Sequence, residues 1–106
     1  MSEIFGVDDL LTKLGEDRRY HEFLRVPAMS AGLYVLPPEA SDGQKPHRED
    51  EIYYVVRGKA KMRLGKDERS IESGDVIFVQ RDVEHRFFEI AEELVLLVVF
   101  APAETR

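Results

Sequence analysis

The sequence predicts an all-β fold of short antiparallel strands with one short helix near its start. Two observations carry this expectation. From Tyr20 onward, short apolar and β-branched runs alternate with turn-forming clusters, as in a β-barrel or sandwich. Apolar residues at helical spacing occur only before residue 15. With 106 residues the chain has room for one hydrophobic core and not for two. A single domain over residues 1–106 is therefore expected, divided into an N-terminal helical segment (1–19), a β-barrel (20–101) and a C-terminal tail (102–106).

Ile4, Val7, Leu10, Leu11 and Leu14 share one helical face, Asp8 and Asp9 suit an N-cap or first turn, and Gly15 is placed to end the helix. This spacing predicts a helix over about 8–14. Phe23–Val26 and Gly32–Leu36 read as strands separated by Pro27, the second stopped by Pro37 and Pro38. Ile52–Val56 is a strand ending at Arg57 and Gly58, read as a hairpin with Arg57 and Lys59 on a solvated basic edge. Lys59–Leu64 then alternates, with Ala60, Met62 and Leu64 on one face and Lys59, Lys61 and Arg63 on the other. Arg69–Ile71, Val76–Val79, His85–Ile90 and Leu94–Phe100 complete the strands, broken by Ser73-Gly74-Asp75 and Gln80-Arg81-Asp82. Ile52–Val56 and Leu94–Phe100 are apolar at odd and even positions alike. One side of each is expected to fill the core, and the other to meet a second sheet, the helix or another subunit. A homodimer is the natural candidate.

Fifteen Lys and Arg against 21 Asp and Glu leave a formal net charge of −6 at pH 7, which repels phosphate backbones and argues against nucleic acid as a partner. No cysteine is present, so disulfides, thiolate ligands and cysteine nucleophiles are excluded, leaving His and carboxylate chemistry. The first residues carry acidic groups where a secretory signal has a basic region, and a cytoplasmic chain is expected. The apolar run Leu94–Ala101 is far below the roughly twenty residues of a membrane helix, so no membrane partner is expected.

Two segments carry the chemistry. In Gly43 to Gly58 (GQKPHREDEIYYVVRG), His47 and Glu51 precede a closing Gly58; in Gly74 to Glu89 (GDVIFVQRDVEHRFFE), Gly74 leads to His85. The first resembles the first motif of the cupin superfamily, a His-x-His pair followed by Glu and then Gly. His47 stands at the second motif histidine, Glu51 at the metal-binding glutamate and Gly58 at the closing glycine. Lys45 stands at the first histidine, and a lysine ammonium has no lone pair to give a metal. Four protein ligands become three. The second segment is similar to the second cupin motif at Gly74 and His85, with Gln80 in place of Pro, Asp82 in place of Gly and Glu89 in place of Asn. The resemblance runs from about residue 30 to 101. It implies a small cupin-type jelly-roll β-barrel, commonly dimeric, with a metal site at an open end. The family spans dioxygenases, isomerases, lyases and proteins that only bind a ligand, and fold does not choose among them.

Apart from the resemblance, two imidazoles and a carboxylate from His47, His85 and Glu51 form a facial set that leaves coordination positions open. Such a set suits one divalent ion per chain: Fe, Mn, Ni or, at lower coordination number, Zn. Glu51 is in phase with Tyr53 and Val55, and His85 with Phe87, so each is expected to point as those neighbours do. Gln44 or Glu49 is a candidate fourth ligand, and Glu49, Lys45 and Tyr53 are candidate acids or bases. His21 lies outside both segments and reads as surface or interface. Tyr34, Tyr53, Met62, Phe78 and Phe87 read as barrel core before pocket lining. The expected function is a metal-dependent enzyme acting on a small molecule, of dioxygenase, isomerase or lyase class. The alternative is a non-catalytic binding or sensory module.

Overall fold

The computed structural model describes residues 2–14, 19–40, 42 and 46–105. Helix α1 spans Val7–Thr12 and is followed by strands β1 Tyr20–Val26, β2 Met29–Leu36, β3 Asp50–Leu64, β4 Asp67–Glu72, β5 Val76–Val79 and β6 His85–Ala101. Helix α1 is shorter than its apolar spacing predicts. Extended Gly6 precedes it, and Asp8 and Asp9 sit in the first turn, where carboxylates meet the positive end of the helix dipole. Short-range bonds from Lys13 N to Leu10 O (3.1 Å) and Leu14 N to Leu11 O (3.2 Å) tighten the last turn. Gly15 lies outside the described residues.

The strands form one antiparallel sheet in the order β1-β2-β6-β3-β4, with β5 also paired to β3. This corrects the expected jelly-roll β-barrel: the sheet is not closed. Beside Asp50–Tyr54 the strands lie in the order β1-β2-β6-β3-β5, and beside Lys59–Leu64 the described strands that flank β3 are β6 and β4. Closure needs the edge strands to share a ladder, and among the described residues no ladder joins β1 to β4 or β5. Alternating burial gives the same sequence pattern whether a sheet is open or closed, so the strand succession alone does not decide between them.

Two strands are longer than expected because bulges take the place of turns. The segment read as two strands around a hairpin at Gly58 is a single β3, whose pairing with β6 slips between Val55 and Lys61. Gly58 has φ +106, and a Cβ there would lie 2.3 Å from Glu93 O, so only glycine lets the strands pass this closely. The slip reverses the buried phase, from Glu51, Tyr53 and Val55 before it to Ala60 and Met62 after it. Strand β6 changes phase in the same way near Glu89 (φ 46), from His85 and Phe87 to Ile90, Leu94 and Leu96. A straight strand from Glu51 to Leu64 would span about 40 Å at the usual rise. Yet His85, the ladder partner of Leu64, reaches to 2.9 Å from Glu51. The bulged β3–β6 pair is therefore bent, and its two ends face each other across the core.

That core joins Tyr53, Val55, Met62, Phe87, Leu94 and Leu96 with their neighbours on the inner face. On the outer face, Leu10 of α1 packs with Leu33 of β2 and Val95 of β6, and burial of such a leucine contributes about 2 kcal/mol. The doubly apolar β6 thus meets the helix. The outer face of β3 is different: Ile52 and Tyr54, opposite Phe78 and Val76 of β5, stay 41–65% exposed.

Candidate metal centre

Three side chains meet where the bent sheet brings its ends together. Glu51 opens β3 on the inner face, in phase with Tyr53 as expected, and is 2% exposed. His85 opens β6 in phase with Phe87 and is 4% exposed. His47 comes from the loop before β3 and is half-buried. Its loop is pinned to the β5–β6 turn by Asp82 N donating to His47 O (2.7 Å) and Arg81 N donating to Asp50 Oδ1 (2.8 Å). Asp82 holds φ 66, a left-handed conformation that asparagine, aspartate and glycine tolerate best. Buried Asp42 accepts from Phe87 N (2.8 Å) and Tyr34 Oη (2.9 Å), tying the preceding loop to the same end. One ligand-capable atom from each of His47, Glu51 and His85 lies within 4.8 Å of the others.

Hydrogen bonding settles where His85 carries its proton. Its Nδ1 lies 3.0 Å from Val83 O, a carbonyl that only accepts, so Nδ1 bears the hydrogen and Nε2 the lone pair of the neutral ring. Nε2 is 3.1 Å from Tyr53 Oη and 2.9 Å from Glu51 Oε1. Despite that proximity, neither buried carboxylate oxygen of Glu51 receives an aligned hydrogen bond among the described residues. In the neutral state Nε2 accepts from Tyr53 Oη, and the Glu51 carboxylate faces that acceptor nitrogen with no ring proton between them, an arrangement that a cation relieves. A proton on Nε2 is one such cation. Burial pushes the His85 pKa down, but the Glu51 partner, the Val83 carbonyl and the charges of Glu51 and Asp42 outweigh it, and the net shift is upward. A divalent metal is the other, and an N, N, O donor set without thiolate fits the first-row ions.

His47 shows the same pattern with a different partner. Its Nδ1 lies 3.2 Å from Glu104 Oε2, and its ring packs edge-on against Phe100 with centroids 4.9 Å apart. Its pKa is raised, chiefly by the bond to Glu104; burial opposes this, and the carboxylate charges of Glu51 and Glu104 reinforce it.

A cavity of about 180 Å³ opens beside these groups, lined by Tyr20, Tyr34, Tyr53, Val98, Phe100 and Glu104. Tyr53 and Glu104 line the cavity and also touch the cluster, at His85 Nε2 and His47 Nδ1. Burial, seconded by nearby carboxylates, holds the phenols of Tyr20 and Tyr34 above the usual tyrosine range, so both are neutral at physiological pH. Of the five residues read first as core, Tyr34 and Tyr53 line this cavity, Met62 and Phe87 are buried core, and Phe78 is 60% exposed on the outer face. Glu49 is outside the cluster, its Oε2 accepting from Thr105 Oγ1 at 2.6 Å. Gln44 and Lys45 lie outside the described residues. Sequence reasoning missed Tyr20, Phe100 and Glu104. Glu104 falls in the segment read as a tail, and no local pattern marks it.

Together these features define a bent antiparallel sheet with a His-Glu-His cluster, two of its three members buried, beside a small aromatic cavity. Residues 32–100 match the family model described as Cupin domain. The chain belongs to the cupin family. It is 41% identical over 102 residues to an uncharacterized protein of Streptomyces coelicolor, covering 95% of this chain and 97% of that one. Among solved structures it is similar to a protein of Thermus thermophilus, with TM-score 0.77, 24% identity and coverage of 96% of this chain and 99% of the other. It is also similar to an RmlC-like cupin from Shewanella frigidimarina, with TM-score 0.79, 21% identity and coverage of 96% and 93%. At such identities the structural likeness concerns the fold alone.

Proposed function

We propose that this cupin is a metal-dependent enzyme acting on a small molecule, with His47, Glu51 and His85 holding one divalent ion of the iron, manganese, nickel or zinc class. The observation that carries the reading is the buried Glu51 carboxylate, which accepts no aligned hydrogen bond among the described residues and lies 2.9 Å from a histidine nitrogen whose proton is on its other side. When bound, such an ion supplies Lewis acidity, or a redox centre if it is iron or manganese, at positions the protein leaves open. The chain's own groups do the rest. Tyr20, Tyr34, Val98 and Phe100 wall the cavity with aromatic and aliphatic surface and favour a compact, largely apolar ligand. Tyr53 places its hydroxyl at both cavity and cluster, where it can donate to a ligand oxygen or pass a proton.

Elemental analysis and calorimetry on protein purified without chelator or metal-affinity tag test this reading. His47→Ala, Glu51→Ala and His85→Ala are each expected to lower affinity by at least about 100-fold, which corresponds to about 2.7 kcal/mol. Parent-like binding in the His47 and His85 variants would place the site elsewhere. A non-catalytic binding module is the second reading. It is favoured by the commitment of two nearby carboxylates, Glu49 to Thr105 and Glu104 to His47. Turnover by the metal-loaded protein across a panel of small oxygenated substrates separates the two; tight uptake of a metabolite without conversion supports the module.

A homodimer completes the proposal. The exposed Ile52, Tyr54, Val76 and Phe78 form one outer patch, and a second copy of the chain is its proposed cover. Light scattering of the parent is expected to give twice the chain mass, and Phe78→Glu a monomer.

A further inference from the structure

We infer that Glu104 is a positioning residue for the ion, holding the His47 proton on Nδ1 so that the Nε2 lone pair becomes the donor. The inference rests on the reading that His47, Glu51 and His85 bind a metal. Its basis is a parallel between the two histidines. Val83 O accepts from Nδ1 of His85 at 3.0 Å, and Glu104 Oε2 lies 3.2 Å from Nδ1 of His47. An ionised carboxylate, like a carbonyl, only accepts, so it selects the same tautomer. A carboxylate on the far nitrogen also raises the basicity of a metal-binding imidazole and fixes its orientation.

Glu104 is not placed there by chance contact of a loose end. Its backbone N donates to Oγ of Ser30, which is fully buried, at 2.9 Å, and its carbonyl accepts from Arg25 Nη2. Arg25 is held in turn by Glu22 at 3.0 Å. On either side, Ala103 N donates to Pro27 O (3.4 Å) and Thr105 Oγ1 to Glu49 Oε2 (2.6 Å). Residues 103–105 thus form a strap from the β1–β2 hairpin to the His47 loop, and Glu104 is the group it presents to the cluster. The expectation of a plain tail after residue 101 did not include this role.

The test combines Ni(II) and Mn(II) calorimetry with nitrogen-15 spectra of the imidazole rings in metal-free protein, for the parent, Glu104→Ala, Glu104→Gln and Ser30→Ala. Glu104→Ala is expected to weaken metal binding about 10- to 100-fold. Its His47 ring should change from the Nδ1–H form to a tautomer mixture, while His85 keeps its Nδ1–H signature. Glu104→Gln keeps volume and an accepting oxygen, so it should restore the Nδ1–H signature and part of the affinity. Ser30→Ala, which loosens the strap without touching a ligand, should weaken binding in the same direction by less. Parent affinity and an unchanged His47 tautomer in Glu104→Ala, with His47→Ala still losing metal, would overturn the inference and leave the metal site standing. A parent that binds neither ion, with its His47 tautomer nonetheless dependent on Glu104, would refute the metal site and with it the metal-positioning role.

Discussion

The two histidines of the cluster reach the same electronic state by different routes. His85 stands at the start of a strand, its side chain is fully buried, and its Nδ1 is held by the carbonyl of Val83, two residues earlier. His47 lies on a loop, its side chain is 19% exposed, and its Nδ1 is held by Glu104, which arrives from the far end of the described chain. The first arrangement is local and backbone-determined; the second depends on a long-range docking of segment 103–105. Robustness should therefore differ, even though both rings serve one cluster. Loss of His85 leaves Glu51 buried without its ion-pair partner, whereas loss of His47 leaves Glu104 partly open to water.

In metal-free protein at pH 6, His85→Ala should cost about 3–5 kcal/mol through the stranded Glu51 charge, and His47→Ala about 1 kcal/mol. Urea denaturation measures both, and equal losses would mean that the two settings are energetically alike. Next comes a change that should disturb both histidines together. Gly58→Ala forces a Cβ toward Glu93 O at a φ of +106, which should cost about 1–3 kcal/mol and lower metal affinity, because the bend that brings Glu51 to His85 depends on this bulge.

Protonation gives a subtler test. Both histidines have pKa values raised in the folded state. The metal-free fold therefore binds protons more tightly than the unfolded chain, whose histidines titrate near about 6.5. The stability this contributes is fully present below that pH and is lost as pH rises through the folded values. Metal must displace those protons, so apparent affinity should rise over the same interval. Urea midpoints in chelator should fall between pH 6 and 9, and calorimetric affinity should climb. A flat profile in the His85→Ala variant with a residual slope in His47→Ala would assign most of the effect to the buried ring.

The smallest effect serves as the control. Lys61 meets Glu89 at 2.8 Å on the exposed face, and although the pair raises the lysine pKa, both side chains are about half or more exposed. Lys61→Ala should leave the urea midpoint and metal affinity within measurement error.

Much of the cluster was legible because it follows strand phase. Glu51 shares a face with Tyr53 and Val55, and His85 with Phe87, as alternation requires, and the structure makes that face the inner one. The alternation of Lys59–Leu64 also holds, with Ala60 and Met62 buried and the basic side chains outside. What failed was punctuation. Gly58 reads equally well as a hairpin or a bulge, because both need a positive φ, and only the pairing of Arg57 with Val95 and Lys59 with Glu92 distinguishes them. The open sheet escaped for a related reason, since burial phase records which face is covered and says nothing of which edges meet.

The β content, the face that Glu51 shares with Tyr53 and His85 with Phe87, and the resemblance that family matching supports were all readable from the chain alone. These are properties of local period and short motifs, carried by residues close together in the chain. Folding in three dimensions added that the shared face is the inner one, that two bulged strands bend until their ends face each other, that the sheet stays open, and that Glu104 docks against His47. Each of these depends on contacts between residues far apart in sequence, whose energies come from packing and hydrogen bonding that no local pattern encodes.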